Sequence, residues 1–139
     1  MHSHSLFRQT GEDLPAFFCG IMGERSEKME EMNEIYTYIG NVLNNNMNDN
    51  NWETIKFNMQ ADVDYCGYDG TYTDTMGLVH DLDIDIPIEM DDKIWRLLEL
   101  TKKNNFVPWN KAVYTLEKNG HFDMTFEWNQ ALQDEWDNA

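Results

Sequence analysis

From Met29 to Met47 the apolar residues Met32, Ile35, Tyr36, Ile39, Val42, Leu43 and Met47 recur at steps of three and four. That spacing predicts one buried face of a helix. Ser26 is the expected N-cap, with Glu27, Glu30 and Glu31 suited to the positive end of the helix dipole. The run Asn44-Asn45-Asn46 ends the helix and Asn48 to Asn51 reads as loop. The period changes at Trp52. Ile55, Phe57, Met59, Ala61, Val63 and Tyr65 alternate with Thr54, Lys56, Asn58, Gln60, Asp62 and Asp64, which predicts a strand with one buried face. Gly67 and Asp69-Gly70 predict a turn, and Tyr72 to Leu82 a second strand, kinked at Gly77. After Pro87 the helical period returns at Met90, Ile94, Trp95, Leu97, Leu98 and Thr101. Acids at its start (Glu89, Asp91, Asp92) and bases at its end (Lys102, Lys103) match the dipole, and Asn104-Asn105 and Pro108 close it.

The last hairpin can be placed in register. A two-residue Asn119-Gly120 turn sets Leu116 opposite Asp123, apolar against acidic. A three-residue Lys118-Asn119-Gly120 loop sets Leu116 opposite Phe122, Tyr114 opposite Met124 and Ala112 opposite Phe126. The second register gathers the apolar residues on one face and needs Gly120 in the left-handed region. After Trp128, Asn129 is expected to cap a short helix that buries Leu132 and Trp136. The order α-β-β-α-β-β-α implies an α+β fold, a two-layer domain with helices on one face of a mainly antiparallel sheet. Residues 29–139 form this domain. Residues 1–28 lack the periodicity and are expected to be an N-terminal extension, either poorly ordered or an accessory helix whose Phe17, Phe18 and Ile21 pack on the domain.

Length and composition fit that reading, since 139 residues suit one domain and 41% hydrophobic residues supply a core. Charge changes the picture more. With 26 acids against 10 Lys and Arg, the formal charge is -16. Such a surface is ill-suited to phosphate backbones or anionic lipid, so nucleic acid and membrane are not expected as partners. A basic protein is the natural complement. The two cysteines, Cys19 and Cys66, form no CxxC pair and suit a reduced protein. No apolar run reaches the roughly 20 residues of a membrane span. Leu14 to Met22 is preceded by Glu12 and Asp13 where a signal peptide carries positive charge, so a cytoplasmic location is expected.

Catalytic chemistry finds little support. Asp81-Leu82-Asp83-Ile84-Asp85 has a superficial likeness to a calcium loop, but Ile86 stands where such a loop needs glycine and Asp92 where it needs a bidentate glutamate. His80 and His121 have no ligand spacing to a second His or Cys. Near Cys66 the acids Asp62, Asp64 and Asp69 are expected to raise the thiol pKa. No nucleophile elbow, phosphate loop or zincin motif occurs. The expectation is therefore no enzyme, no cofactor and no metal. Trp95 and Trp128 fall on faces expected to be buried, whereas Trp52 and Trp109, at loop-to-strand boundaries, are either interface anchors or edge packing.

Pro108-Trp109, a strand, a Lys-Asn-Gly turn and then Phe122-Asp123-Met124-Thr125-Phe126-Glu127-Trp128 resemble the C-terminal part of the YezG-like immunity (antitoxin) family. Met32-Asn33-Glu34-Ile35-Tyr36, Ile39 and Trp52-Glu53 resemble its start, so the likeness covers roughly residues 29–136. The first 28 residues, the second strand and the Asp81–Asp85 stretch depart from it. The resemblance implies a small cytoplasmic protein that binds and neutralises the toxic C-terminal domain, typically a nuclease, of a secreted toxin. The alternative is an acidic adaptor or nucleic-acid mimic that regulates a basic host protein. For a cognate basic toxin domain the candidate contacts are Asp62, Asp64, Asp69, Asp74, Asp81, Asp83 and Asp85, in a stretch with no Lys or Arg.

Overall fold

A computed structural model describes residues 4–10, 23–47, 50–103 and 108–138, with backbone alone for 4–10 and 23–29. Its elements are β1 (His4–Thr10), α1 (Gly23–Asn46), β2 (Thr54–Asp62), β3 (Tyr65–Thr73), β4 (Val79–Asp81), α2 (Glu89–Lys103), β5 (Lys111–Glu117), β6 (Phe122–Asn129) and α3 (Gln130–Asp137). The strands form one antiparallel sheet in the order β1-β6-β5-β2-β3-β4. The expected α+β class and element order hold, with two further strands at the two edges.

The core is the meeting of two periodicities. Ile55, Phe57, Met59 and Ala61 of β2 alternate inward beside Ala112, Tyr114 and Leu116 of β5 and Met124 and Phe126 of β6. Met32, Ile35, Tyr36, Ile39 and Leu43 of α1 and Met90, Ile94, Leu97 and Leu100 of α2 close over them. The Tyr114 hydroxyl donates to the Tyr36 carbonyl at 2.9 Å, so a buried polar tip is satisfied across the layers. Arg96 of α2 makes a forked pair with Glu31 of α1, binding one helix to the other. The opposite face of β2, with Lys56, Asn58 and Gln60, carries the polar half of the alternation.

The hairpin register is the second of the two alternatives. Leu116 faces Phe122, Tyr114 faces Met124 and Ala112 faces Phe126. Gly120 has φ +96°. A β-branched residue is strained there. Gly120→Val is expected to cost about 1–2 kcal/mol, read as a lower urea midpoint at unchanged slope. An unchanged midpoint would show that the loop can rearrange freely.

Four local expectations are corrected. The helix begins at Gly23, so Ser26 lies within it and is not its cap. The β2–β3 turn is Val63-Asp64, and Gly67, Asp69 and Gly70 are strand residues. A Cβ on Gly70 would lie 2.4 Å from the Lys56 carbonyl oxygen and 3.0 Å from Leu82 Cδ2, so glycine permits the strands to close there. The Tyr72–Leu82 strand is divided: β3 ends at Thr73, a turn follows and β4 begins at Val79. Asn129 does cap α3, accepting from Leu132 N–H at 3.0 Å, but α3 buries none of its residues. Trp136 instead meets the edge of Tyr65, ring centres 5.7 Å apart. Phe17, Phe18 and Ile21 lie outside the described residues. His4–Thr10, within the segment expected to be an extension, pair along β6 from Asn129 to Asp123.

Candidate interaction site

The seven candidate acids divide by what their carboxylates already hold. Asp69 is exposed on β3 and accepts from Asn58 Nδ2 at 2.7 Å. Asp62 closes β2 and accepts from the Val63 N–H at 2.8 Å, while Asp64 is exposed in the turn. Asp81, Asp83 and Asp85 are exposed and alternate with Leu82, Ile84 and Ile86, which pack against the core. The inward residues bind this acidic segment to the domain and turn its carboxylates to water.

Asp74 stands apart. It is 5% exposed, and its two oxygens have internal partners. Oδ1 accepts from the N–H groups of Met76 and Leu78, both at 2.9 Å, and Oδ2 lies 2.8 Å from His80 Nε2. The bond with His80, then the Leu78 amide, holds the Asp74 carboxyl below the usual carboxylate range. Asp74 organises the turn and Asp62 is half-buried, so Asp64, Asp69, Asp81, Asp83 and Asp85 remain as the exposed set. A carboxyl depressed by folding stabilises the native hairpin fully above its ordinary pKa, and that stabilisation is lost as pH falls through the lower native value. Acidification below about pH 4 is therefore expected to move the amide resonances of Met76 and Leu78 away from their neutral-pH positions. Asp74→Ala at neutral pH should give the same displacement, and an unmoved pair of resonances in both cases would contradict this role.

What that turn presents was not foreseen. Met76 is 85%, Leu78 60% and Val79 66% exposed, three apolar side chains at one hairpin tip. Thr75 adds bonds from its amide and hydroxyl to Asn51 Oδ1, bracing the same tip. In the sequence these residues fall within the expected Tyr72–Leu82 strand, with nothing to mark them as a hairpin tip.

The remaining candidates have structural duties. Burial pushes the Cys66 thiol up to about 11, with Asp91 adding to the rise against a bond from Tyr68 that lowers it. A neutral thiol there is a poor nucleophile. The cause is burial and Asp91, not the acids Asp62, Asp64 and Asp69. Tyr72 stacks on His80 with ring centres 5.0 Å apart. His121 lies 3.7 Å from Asp123 and 3.8 Å from Glu117. Among the described residues no group of three His, Cys, Asp or Glu is placed to hold a metal ion. Trp52 and Trp109 are each 3% exposed, so edge packing is their role. Trp95 and Trp128 are the half-buried pair, donating to the Asp62 carbonyl at 2.9 Å and to Gln130 Oε1 at 3.0 Å.

A cleft of about 580 Å³ lies between Leu98 and Thr101 of α2, Ala61, Trp109 and Trp128. Several of the polar atoms around it are used internally. Trp109 Nε1 donates to Thr101 Oγ1 at 2.8 Å, and Asn110 exchanges bonds of 2.8 and 2.9 Å with the backbone of Asn129. Asn110 thus joins the start of β5 to the end of β6. Among the described residues no helix is long and apolar enough to cross a membrane. No protein-family model matches the chain, and no curated protein is similar to it in sequence.

Proposed function

We propose that this protein is an immunity protein, acting in the cytoplasm, that binds and neutralises a basic toxin domain with nuclease activity. The observation that carries the reading is the exposed row Asp69, Asp81, Asp83 and Asp85 on one margin of the sheet, in a span with no Lys or Arg between Lys56 and Lys93. A surface of one sign opposes its own compaction, and it attracts and steers a partner of the other sign. Nuclease domains carry basic substrate clefts because they must bind phosphate. An acidic protein of this size fits such a cleft without any chemistry of its own.

The resemblance to the YezG-like immunity family supports the reading from another side. Met32, Ile35, Tyr36, Ile39, Trp52, Trp109, Met124 and Phe126, which carry much of it, are buried residues. They bear on the scaffold, whereas the acids bear on the partner.

The test is purification of the chain from its own source, identification of the co-eluting protein, and a nuclease assay of that protein with and without the chain. The expected result is a basic partner whose activity falls to background at an equimolar amount. A basic partner without toxic activity would favour the adaptor reading, and a partner whose nuclease activity is unaffected would overturn neutralisation.

A further inference from the structure

β4 is the last strand of the sheet on its side, and its ladder determines which backbone groups it uses. Asp74 N–H donates to the Leu78 carbonyl at 2.8 Å, and Leu82 N–H donates to the Gly70 carbonyl at 2.9 Å. Tyr72 stands opposite His80 between them. Residues 78, 80 and 82 therefore turn their backbone groups toward β3. In an antiparallel ladder the intervening residues turn theirs away. On β3 those intervening groups point to β2, as when the Thr73 carbonyl accepts from Glu53 N–H at 2.7 Å. On β4 the N–H and C=O groups of Val79 and Asp81 point outward, and Asp83 continues the series. Among the described residues nothing pairs with this outer edge.

Unpaired edges are templates for another strand. Short length and acidic side chains blunt this one against self-association, yet the same hairpin exposes Met76, Leu78 and Val79, which blunting alone would not retain. A second copy is a poor occupant, since its own Asp81 and Asp83 would face these and both chains carry a charge of -16. A basic strand meets no such opposition.

We propose that the outer edge of β4 takes up an extended segment of a partner protein as an added strand, with an apolar residue opposite Val79 and Lys or Arg opposite Asp81 and Asp83. Main-chain bonds supply the binding and the alternate side chains supply the selection. The inference rests on the immunity reading only for which protein carries the segment.

The probe is the peptide acetyl-Thr-Arg-Thr-Arg-Thr-Val-Thr-amide, titrated into the isotopically labelled full chain and followed by amide resonances. Its sequence puts arginine opposite Asp83 and Asp81, and valine opposite Val79, in an antiparallel register. Saturable shifts and slowed exchange are expected at the amides of Val79, Asp81 and Asp83. N-methylation of the two arginine and the valine backbone nitrogens, which leaves charge unchanged, should weaken binding by about tenfold or more. Asp81→Lys with Asp83→Lys, at exposed positions, should do the same. Equal affinity from the methylated peptide would show attraction by charge alone and overturn strand addition, as would the absence of saturable shifts at these amides with millimolar peptide. Neutralisation of a toxin without peptide binding would remove the edge from the account and leave the immunity reading standing. Peptide binding by a chain that neutralises nothing would have the reverse meaning.

Discussion

Phe57→Ala is expected to cost about 3–5 kcal/mol. Phe57 is 1% exposed on β2, which lies between β5 and β3. Tyr114 of β5 stands opposite on one side and Gly70 of β3 on the other. Its ring stacks on Tyr68 with centres 5.6 Å apart and planes 7° from parallel. Gly70 has no side chain to move into the vacated space, so relaxation there is limited. A domain of this size has a total stability of about 5–15 kcal/mol, of which this loss is a large share. The measurement is a urea melt with the slope held as a check on two-state unfolding. A loss below about 1 kcal/mol would mean that the core collapses around the cavity, with Tyr68 free to follow.

The double reversal Asp69→Lys with Asp83→Lys is expected to slow association with the basic partner by about tenfold or more at low salt. The β3–β4 ladder pairs Thr71 with Asp81, and the Leu82–Gly70 bond extends it by one residue, so Asp69 and Asp83 each follow directly on its last bonded pair. Like charges placed opposite one another across strands are unfavourable, and a cation brought between them relieves that. Raising salt should reduce the wild-type association rate and leave the variant's nearly flat, because the long-range attraction is screened over about 10 Å at 0.1 M. Dissociation should change less than association if these carboxylates lie at the rim of the contact. Both residues are exposed, and a melt establishes that the variant is folded. Wild-type rates and full neutralisation from the folded variant would exclude this margin as the recognition surface.

The fold was most legible where side chains alone determine the pairing. In β5 and β6 one register places Ala112, Tyr114, Leu116, Phe122, Met124 and Phe126 on one face, leaving only Val113 on the other, and Gly120 marks the loop that allows it. The alternation of β2 is equally direct as far as Ala61, but Val63 and Tyr65, expected on the same buried face, are exposed where the chain turns into β3. The β3 strand was misread because one of its inward positions is Gly70, which contributes no apolar signal while marking a turn by its type. What makes glycine necessary there is the nearness of the Lys56 carbonyl, a property of the neighbouring strand. The first turns of α1, from Gly23, carry no apolar stripe, so periodicity placed the start too late. The exposed acids could be found by charge run alone. Asp74 could not be separated from them, because its burial depends on a turn that brings two amides and His80 to one carboxylate. Nor could the exposure of Met76, Leu78 and Val79 be read, since an apolar residue at a hairpin tip has the same letter as one in a core.

The Asp74 clasp bears on the entropy of recognition. A loop that is ordered only in its complex gives up backbone freedom of about 1–2 kcal/mol per residue at the moment of binding. Here the turn from Thr75 to Leu78 is held by Asp74, His80 and Asn51 before any partner arrives. That ordering is completed during folding, so association at this margin should approach rigid docking, with little disorder-to-order cost. A hairpin so held also gives a protease little extended, mobile chain to seize, although its tip lies in full contact with solvent.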